Sequence, residues 1–496
     1  MALNIGRKGK LFAKIEAGGY GVSETLAAIN AVRHIDLGMS WDPYARVTSP
    51  EKKQTPGPVN RFDRRSAASF NLRSALLRPS GTLNTLPEID PFLQAGFGSK
   101  TNVTLSTTCT PKAVVGALAG AGAGNVDDGA HEYYVAFTDA GGQTKVSAAT
   151  TVTVVDKVTD GKVAISAIPI GPTGTLTREL FRTAAGLTGV ANAQALASVA
   201  DNVTTTYEDN TADAGLGAAL VNTDASGLLT TTAGFVADAG TLAVGDGILI
   251  TRNSVRYARK VTAIATTNLT WAPALPTAVI ADEAVKGAIT YTLTTDLSLS
   301  LTAAHYLTGF KREQNGIGID RLSLIFDGTE EARIAASGPA KTQLSGTTQA
   351  EPASFTTVGG NPPTGMVGEL YLDAVLALHK TLSVELTNNL VARHIEAGTS
   401  APSEMYRGGR REIAVSLETF AETEADLYDL AEAGTPVALF RQNGRTEGNI
   451  VAVYAPRVEF QVPETSDDDE AVNWPFSGVA LESADGQNDE LTMILA

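Results

Sequence analysis

The stretch that decides the fold runs from Gly409 to Glu464 and has the sequence GRREIAVSLETFAETEADLYDLAEAGTPVALFRQNGRTEGNIVAVYAPRVEFQVPE. Its first part has a period of two: Ile413, Val415 and Leu417 alternate with Glu412, Ala414, Ser416 and Glu418. Such alternation predicts a strand with one buried face. An acidic run follows, with Thr423 as its predicted N-cap and Gly434 where a left-handed C-terminal residue is expected. This run predicts a short helix.

The rest of the stretch predicts three further strands. Asn443-Gly444 is typical of a turn, and it precedes an apolar run from Asn449 to Tyr454. After a bend at Pro456, Val458, Phe460 and Val462 alternate with Glu459 and Gln461. The order is therefore strand, helix, strand, turn, strand, bend and strand.

This order, with the sequence YAPRVEF and a closing FSGVALES at 476–483, resembles the tail tube (major tail) proteins of long-tailed bacteriophages. A second stretch, LRPSGTLNTLPEIDPFLQAGFG at 77–98, is similar to a segment that leads into a short helix in that family. The resemblance covers residues 1–110 and about 291–496. It implies a structural virion protein without enzymatic activity, whose stacked hexameric rings form a hollow tube for the genome.

The resemblance also implies the partners and the location. The chain would bind copies of itself head to tail, and other tail proteins such as the tape measure, terminator and distal tail proteins. Double-stranded DNA would pass through without specific binding. The protein would be assembled in the cytoplasm of the bacterial host and would reside in the virion tail, with no contact to a membrane.

Composition sets independent limits. The 496 residues are enough for two to four folded units, and 48 glycines with many Thr and Val residues favour short strands and tight turns. Cys109 is the single cysteine, so no disulfide framework within the chain is expected. We find no apolar segment of transmembrane length and no signal-peptide core. The sequence predicts a soluble protein made in the cytoplasm.

The predicted fold is mainly β: a tail-tube-type β-sandwich or barrel with one short helix, interrupted by one or two small β-modules. The predicted boundaries are 1–110 for the first part of the tube domain and 111–223 for an inserted sandwich that resembles fibronectin-III or immunoglobulin-like decorating modules. Residues 224–292 would form a small module or an extension of the tube domain, and 293–496 its second part. Residues 31–37 are predicted as one strand, and the Gly/Pro/Thr-rich residues 337–365 as a long loop.

The charge is unevenly distributed. The net charge is −16, but residues 1–80 contain 13 Lys and Arg against six acidic residues. Within this basic part, the polar segment 42–65 resembles the hairpin loop that reaches the adjacent ring in the family. Its predicted contacts to that ring are basic: Lys52, Lys53, Arg61, Arg64 and Arg65.

Acidic side chains occupy the polar positions of several predicted strands. Carboxylates repel phosphates, so a bore lined with them would let DNA slide without sticking. The sequence predicts four lumen-facing glutamates, and outer solvent is the alternative for each: Glu385, Glu412, Glu418 and Glu459.

Catalytic and metal-binding patterns were tested as the main rival explanation. Five histidines are scattered singly, and Cys109 lies in a Thr/Ser run with no adjacent base. The acidic run 467–470 lacks the spaced ligands of a calcium loop, and the glycines before Arg410 precede a predicted strand, whereas phosphate loops precede helices. We therefore predict no catalytic residue, no metal site and no cofactor.

Two alternatives remain open. The large size of the chain is compatible with a tail-end or distal-tail ring protein of the same fold. A surface adhesin built of β-modules is the second and would need exposed aromatic rings. Tyr133, Tyr134 and Tyr207 are present but are more easily explained as core residues. The absence of a signal peptide and of any repeat in the sequence argues against the adhesin.

Overall fold

A computed structural model describes most of the chain. The described residues are 9–42, 47–48, 61–62, 67–104, 111–171, 174–223, 231–232, 235–236, 242–252, 255–264, 269–275, 285–307, 310–346, 351–393, 399–420, 425–464, 466–468 and 471–496.

Strands dominate the structure. In chain order they are β1 Lys10–Ile15, β2 Ala31–Val32, β3 Asp36–Asp42, β4 Val47–Thr48, β5 Arg61–Phe62, β6 Ala67–Leu76, β7 Gly98–Asn102, β8 Val115–Leu118, β9 Gly129–Thr138, β10 Thr150–Val154, β11 Val163–Ser166, β12 Thr177–Thr183, β13 Ala193–Val199, β14 Tyr207–Asp209, β15 Thr231–Thr232, β16 Phe235–Val236, β17 Gly247–Arg252, β18 Val255–Ile264, β19 Leu269–Ala272, β20 Val285–Gly287, β21 Ile289–Leu293, β22 Leu301–Leu307, β23 Phe310–Ile317, β24 Arg321–Asp327, β25 Arg333–Ala340, β26 Thr342–Gly346, β27 Gly368–Leu372, β28 Val375–Ala377, β29 His379–Thr387, β30 Leu390–Arg393, β31 Glu404–Arg407, β32 Glu412–Phe420, β33 Val437–Asn443, β34 Val451–Phe460, β35 Ser466–Asp468, β36 Ala471–Leu481 and β37 Thr492–Leu495. The α-helices of the described residues are α1 Asp90–Phe97, α2 Lys157–Asp160 and α3 Ala425–Glu432.

The protein is mainly β, as the sequence predicts, with few short helices and several antiparallel sheets. The expectation of one short helix is wrong, because α1, α2 and α3 are all present. Gly434, with φ +63°, and Gly444, with φ +92°, have the left-handed backbone predicted for the end of α3 and for the turn after β33. The N-cap predicted at Thr423 lies outside the described residues.

Two other local predictions need correction. Residues 31–37 form the end of β2 and the start of β3 with a break between them. The predicted loop 337–365 begins with strand instead, because β25 continues to Ala340 and β26 follows. Gly338 makes this possible, since a Cβ there would lie 1.9 Å from the carbonyl oxygen of Gly318.

The chain forms two compact units. Unit 1 comprises Met1–Asn102 and Ala288–Ala496, and unit 2 comprises Val103–Gly287. Unit 2 therefore interrupts unit 1 in the sequence, between β7 and β21. The domain boundaries predicted from sequence, near 110, 223 and 292, remain predictions, and the two compact units meet at 102/103 and 287/288.

Unit 1 is built on eight consecutive strands of a larger antiparallel sheet, here called the eight-strand sheet, in the order β3-β6-β25-β24-β29-β32-β36-β34. Alternate residues of each strand are buried, for example Phe70 and Leu72 on β6 and Val384 and Leu386 on β29. The alternation of Ile413, Val415 and Leu417 predicts the buried face of β32 correctly: each is 1% exposed.

The other layer of unit 1 packs on the buried face of this sheet. It contains two strand groups, β2-β1-β22-β23-β26 and β28-β27-β33-β34-β37. Side chains from both groups join one hydrophobic core with the eight-strand sheet, including Leu11, Leu370 and Leu439. The helices contribute Phe92 from α1 and Leu427 from α3 to the same core.

Unit 1 contains the same arrangement twice. In the first repeat, β1 pairs with β2 and β22, β22 with β23, β23 with β26, β3 with β6, β6 with β25, and β25 with β24. In the second repeat, β27 pairs with β28 and β33, β33 with β34, β34 with β37, β29 with β32, β32 with β36, and β36 with the end of β34. Helices α1 and α3 follow equivalent strands, β6 and β32. The expectation of a chain without repeats is therefore wrong at the level of the fold.

Unit 2 contains a seven-stranded antiparallel sandwich. One sheet has the order β10-β9-β12-β13, and the other has the order β14-β11-β8. Apolar side chains of both sheets meet in one core, among them Val135, Val152, Ile165 and Leu180. A further antiparallel sheet, β19-β18-β17-β20, has its own core around Ile248, Ile250 and Val261.

A buried ionic group lies inside the sandwich of unit 2. The Arg182 guanidinium donates to Asp209 at 2.6 Å and to Asp213 at 2.7 Å, and the Tyr133 hydroxyl donates to Asp209 at 2.9 Å. The side chains of Arg182 and Asp209 are both 0% exposed. Removing one member of such a group leaves an uncompensated buried charge.

We expect Asp209→Ala to destabilise unit 2 by about 3–5 kcal/mol, because Arg182 would keep its charge without its closest partner. Glu208→Ala is the matched control on the same strand, since Glu208 makes an exposed ion pair with Lys162 and its loss costs less than about 1 kcal/mol. Hydrogen exchange of the β9 and β12 amides in the full chain measures both effects. Equal protection in the two variants would contradict this role of the buried group.

Candidate assembly surfaces

The open face is the face of the eight-strand sheet opposite the core of unit 1. Its side chains are mostly small and polar, including Ser69, Asn71, Ser323, Ser337, Ser383, Thr387, Ala414, Ser416 and Ser477. The strand period of two places them there, because each neighbours a buried apolar residue in sequence. An antiparallel sheet with one apolar and one polar face suits exposure to water on the polar side.

All four predicted lumen glutamates lie on the open face. Glu385 is opposite Ala414, Ala414 is opposite Val479, and Val479 is opposite Glu459. Glu385 and Glu459 therefore lie at the two ends of one row of neighbouring residues across four strands. Glu412 is opposite Thr387 and Glu418 is opposite Thr381. The structure therefore brings these side chains to one surface, and their position in a lumen stays a prediction.

The four glutamates differ in their surroundings. Glu412 and Glu459 are exposed, and Glu385 is half-buried. Glu418 accepts from the Lys380 ammonium at 3.2 Å and is 27% exposed. Among the described residues, no ion pair is seen for Glu385, Glu412 or Glu459, so these three carboxylates can repel a polyanion without first breaking one.

Sequence reasoning missed three arginines on the same face. Arg73, Arg321 and Arg333 lie on strands of the first repeat, whereas the four glutamates lie on strands of the second. Arg73 is paired with Asp36 at 3.3 Å and Arg333 with Glu330 at 2.6 Å. The alternation that predicted β6 could have placed Arg73 here. The open face is therefore polar with mixed charge, and its acidic part belongs to the second repeat.

Strand edges bound the sheet on both sides. Among the described residues, β3 pairs only with β6, so its other edge carries no strand. At the far side, β34 ends at Phe460, and beyond it the Gln461 amide still donates to the Ser477 carbonyl at 2.7 Å. Within the described part of the chain, no strand lies on the other side of 461–464. Unpaired edges invite pairing with another strand.

The predicted loop that contacts the next ring is only partly described. Within segment 42–65, β4 and β5 pair with each other, and Thr48 is opposite Arg61. Lys52, Lys53, Arg64 and Arg65 lie outside the described residues, so their role stays a prediction.

Catalytic and metal-binding arrangements were sought in the part of the chain that the structure describes. No group of three or more His, Cys, Asp or Glu side chains there could hold a metal ion. The ring of His131 is buried between the carbonyl oxygens of Thr183 and Asp127, and Arg411 is bound to Glu490 at 2.6 Å. Cys109 and His394 lie outside the described residues.

In the described ranges, no helix combines the length and apolar character required to span a membrane.

Comparison with known proteins gives no relative: no protein-family model matches the chain, and no curated protein matches it.

Two histidines of unit 1 are held neutral by their surroundings. Burial, together with the neighbouring His34 and Arg312, lowers the pKa of His305 to about 4. Burial and the nearby Arg441 likewise lower the pKa of His379 to about 4. The two rings occupy different repeats, so each repeat contains one such group.

We expect unit 1 to lose stability as the pH falls from about 7 to about 5.5, because unfolded histidines bind protons near 6.5 while the folded ones stay neutral. The contribution is fully present above 6.5 and is lost progressively toward 4. The urea midpoint at the two pH values measures the loss. The double variant His305→Gln/His379→Gln should lose less, and an equal loss would contradict the assignment.

Proposed function

We propose that this chain is a tail tube protein of a long-tailed bacteriophage, a structural subunit that polymerises into closed rings and then into a hollow conduit for DNA. The observation that carries the proposal is the eight-strand sheet, with one apolar face buried and one small, polar face left open. Among the described residues, β3 has one unpaired edge, and no strand lies on the outer side of residues 461–464. β34 itself pairs with β33, β36 and β37. Closure of such sheets into a barrel removes these edges.

The order of elements supports the proposed family. The stretch from Gly409 to Glu464 folds as β32, α3, β33 and β34. The order strand, helix, strand, strand agrees with the resemblance, but the two strands predicted before and after Pro456 are one continuous strand, β34, and Val462 lies beyond its end. The second resembling stretch, at 77–98, contains α1 and ends in Gly98, with φ +99°. We propose both the tail-tube fold of unit 1 and its role in the virion.

The open face is the proposed lumen lining. DNA moving through a tube needs a surface without strong phosphate contacts, because released counterions would otherwise favour tight binding. Glu385, Glu412, Glu418 and Glu459 supply repulsion in the second repeat. In the first repeat, Arg73 and Arg333 are paired with carboxylates, which lowers their attraction for phosphates.

Unit 2 is the proposed decorating module. Its pairings β8–β11, β9–β10, β9–β12 and β12–β13 follow the neighbour relations of strands B–E, C–C′, C–F and F–G in immunoglobulin-type sandwiches. Strand β14 departs from that plan, since it comes last in the chain and lies beside β11. The decorating role needs no catalysis, and fold alone assigns no ligand to unit 2.

Electron microscopy of the purified chain tests the proposal. We expect rings or stacked hollow tubes from the natural chain, and folded but unassembled protein from Arg64→Glu/Arg65→Glu, because the basic loop would lose its attraction to an acidic neighbour. Lys112→Glu/Lys145→Glu, two exposed lysines of unit 2, is the matched control. A natural chain that stays monomeric under all salt conditions would reject the tube, and normal tubes from the loop variant would reject the loop's role.

DNA retention tests the lumen assignment. Replacing Glu385, Glu412, Glu418 and Glu459 by lysine should make tubes retain duplex DNA in a salt-dependent manner. Only linear DNA has an end that can enter a bore, so closed circular DNA of equal length should not be retained. Equal retention of linear and circular DNA would place these side chains on an outer surface.

A further inference from the structure

We propose that each chain supplies two ring-forming units, and that three chains close a ring. The edge of β3 in one chain would pair with the strand edge that follows β34 in the next chain. The number of chains in the ring rests on the proposed function, because the bore must admit DNA. A trimer of two-repeat chains replaces the hexamer implied by the resemblance.

The two repeats match in register as well as in strand order. In the first, the Asp320 amide donates to the Ser337 carbonyl, Ser337 is opposite Asn71, and Asn71 is opposite Gly38. In the second, the Gln461 amide donates to the Ser477 carbonyl, Ser477 is opposite Ser416, and Ser416 is opposite Ser383. Each link of one row therefore has its counterpart in the other.

Irregularities of the strands repeat as well. The register shifts between Leu301 and Ala303 where β22 pairs with β23, and between Val437 and Leu439 where β33 pairs with β34. In both pairs the extra residue lies on the second strand, β23 or β34. Because a bulge changes the course of a strand, its recurrence at an equivalent position indicates two copies of one unit.

Few residues are identical at equivalent positions of the two repeats. This register pairs His34 with His379, Leu37 with Leu382, Leu72 with Leu417, Ser337 with Ser477 and Gly338 with Gly478. The shared residues include leucines that pack in the core and one glycine, which is Gly338 on β25 and Gly478 on β36. The shared residues thus maintain the sheet, while the open-face charges differ between the repeats.

The junction between the repeats is a template for the junction between chains. Strand β24 of the first repeat pairs antiparallel with β29 of the second, and Ser323 is opposite Glu385. By the register above, Glu464 is the counterpart of Ser323 and Ser40 is the counterpart of Glu385. Both are exposed at edges of the sheet that have no partner strand among the described residues. A second copy of this chain offers each of them an edge equivalent to the one that its counterpart pairs with inside one chain.

Ring size follows from strand number. Each chain contributes eight strands, so two chains give sixteen and three give twenty-four. With strands about 4.8 Å apart and tilted by about 40°, these barrels have backbone diameters of about 30 Å and about 50 Å. Side chains narrow each bore by roughly 10 Å, which leaves room for hydrated duplex DNA, about 20 Å across, only in the larger barrel. Three is the smallest number of chains that fits.

Cysteine cross-linking within assembled rings tests the inference. The variant Ser40→Cys/Glu464→Cys, with Cys109→Ala, places two thiols opposite each other across the proposed junction, where Cα atoms about 4.5–5.5 Å apart permit a disulfide. Ser323→Cys/Glu385→Cys on the same background is the matched control, because its disulfide forms within one chain. We expect the control to stay at one chain on a non-reducing gel and the test variant to reach three chains and stop.

Each other result has a distinct meaning. A ladder that continues to six chains would overturn the ring of three and leave the tube intact. Rings seen by electron microscopy without cross-links, when the control is fully oxidised, would overturn the pairing of β3 with 461–464. Absence of rings from the natural chain would overturn the proposed function itself.

Discussion

Backbone hydrogen bonding between antiparallel strands is the interaction on which unit 1 depends. Every strand of the eight-strand sheet except the outermost has neighbours on both sides, and the unpaired amides and carbonyls are concentrated at β3 and after β34. A buried edge without partners would cost about as much as a lost hydrogen bond for each orphaned group. These two edges are either left in water or joined to another chain, and the proposed ring joins them.

The fold could be predicted from sequence where one face of a strand is buried. The alternation around Ile413 gave the correct strand, β32, and the four glutamates predicted at polar strand positions, Glu385, Glu412, Glu418 and Glu459, do share one surface. Glycines at 434 and 444 were equally informative, because only the left-handed backbone requires them there. Strand continuity was harder to predict: Gly338 and Pro339 are typical of a loop, yet they lie within β25, where a close backbone neighbour excludes a side chain.

The repeat could not be recognised from sequence because pairing, not side-chain identity, preserves it. Aligned positions such as Met39 and Val384 need only be apolar, and those on the open face need only be polar. His305 and Arg441 occupy equivalent positions with different chemistry, and the whole of unit 2 separates α1 from β22. Register and bulges, which require coordinates, carry the signal that residue-by-residue comparison loses.

The covalent link between the repeats has a kinetic consequence. The β24–β29 junction forms while a single chain folds, so its two strands meet at the high effective concentration set by the segment that joins them. Only the junctions between chains depend on collision and therefore on protein concentration. The proposed ring of three two-repeat chains has half as many junctions between chains as a ring of six single-repeat subunits. Its nucleus is correspondingly smaller, and assembly can begin at a lower concentration of free subunits.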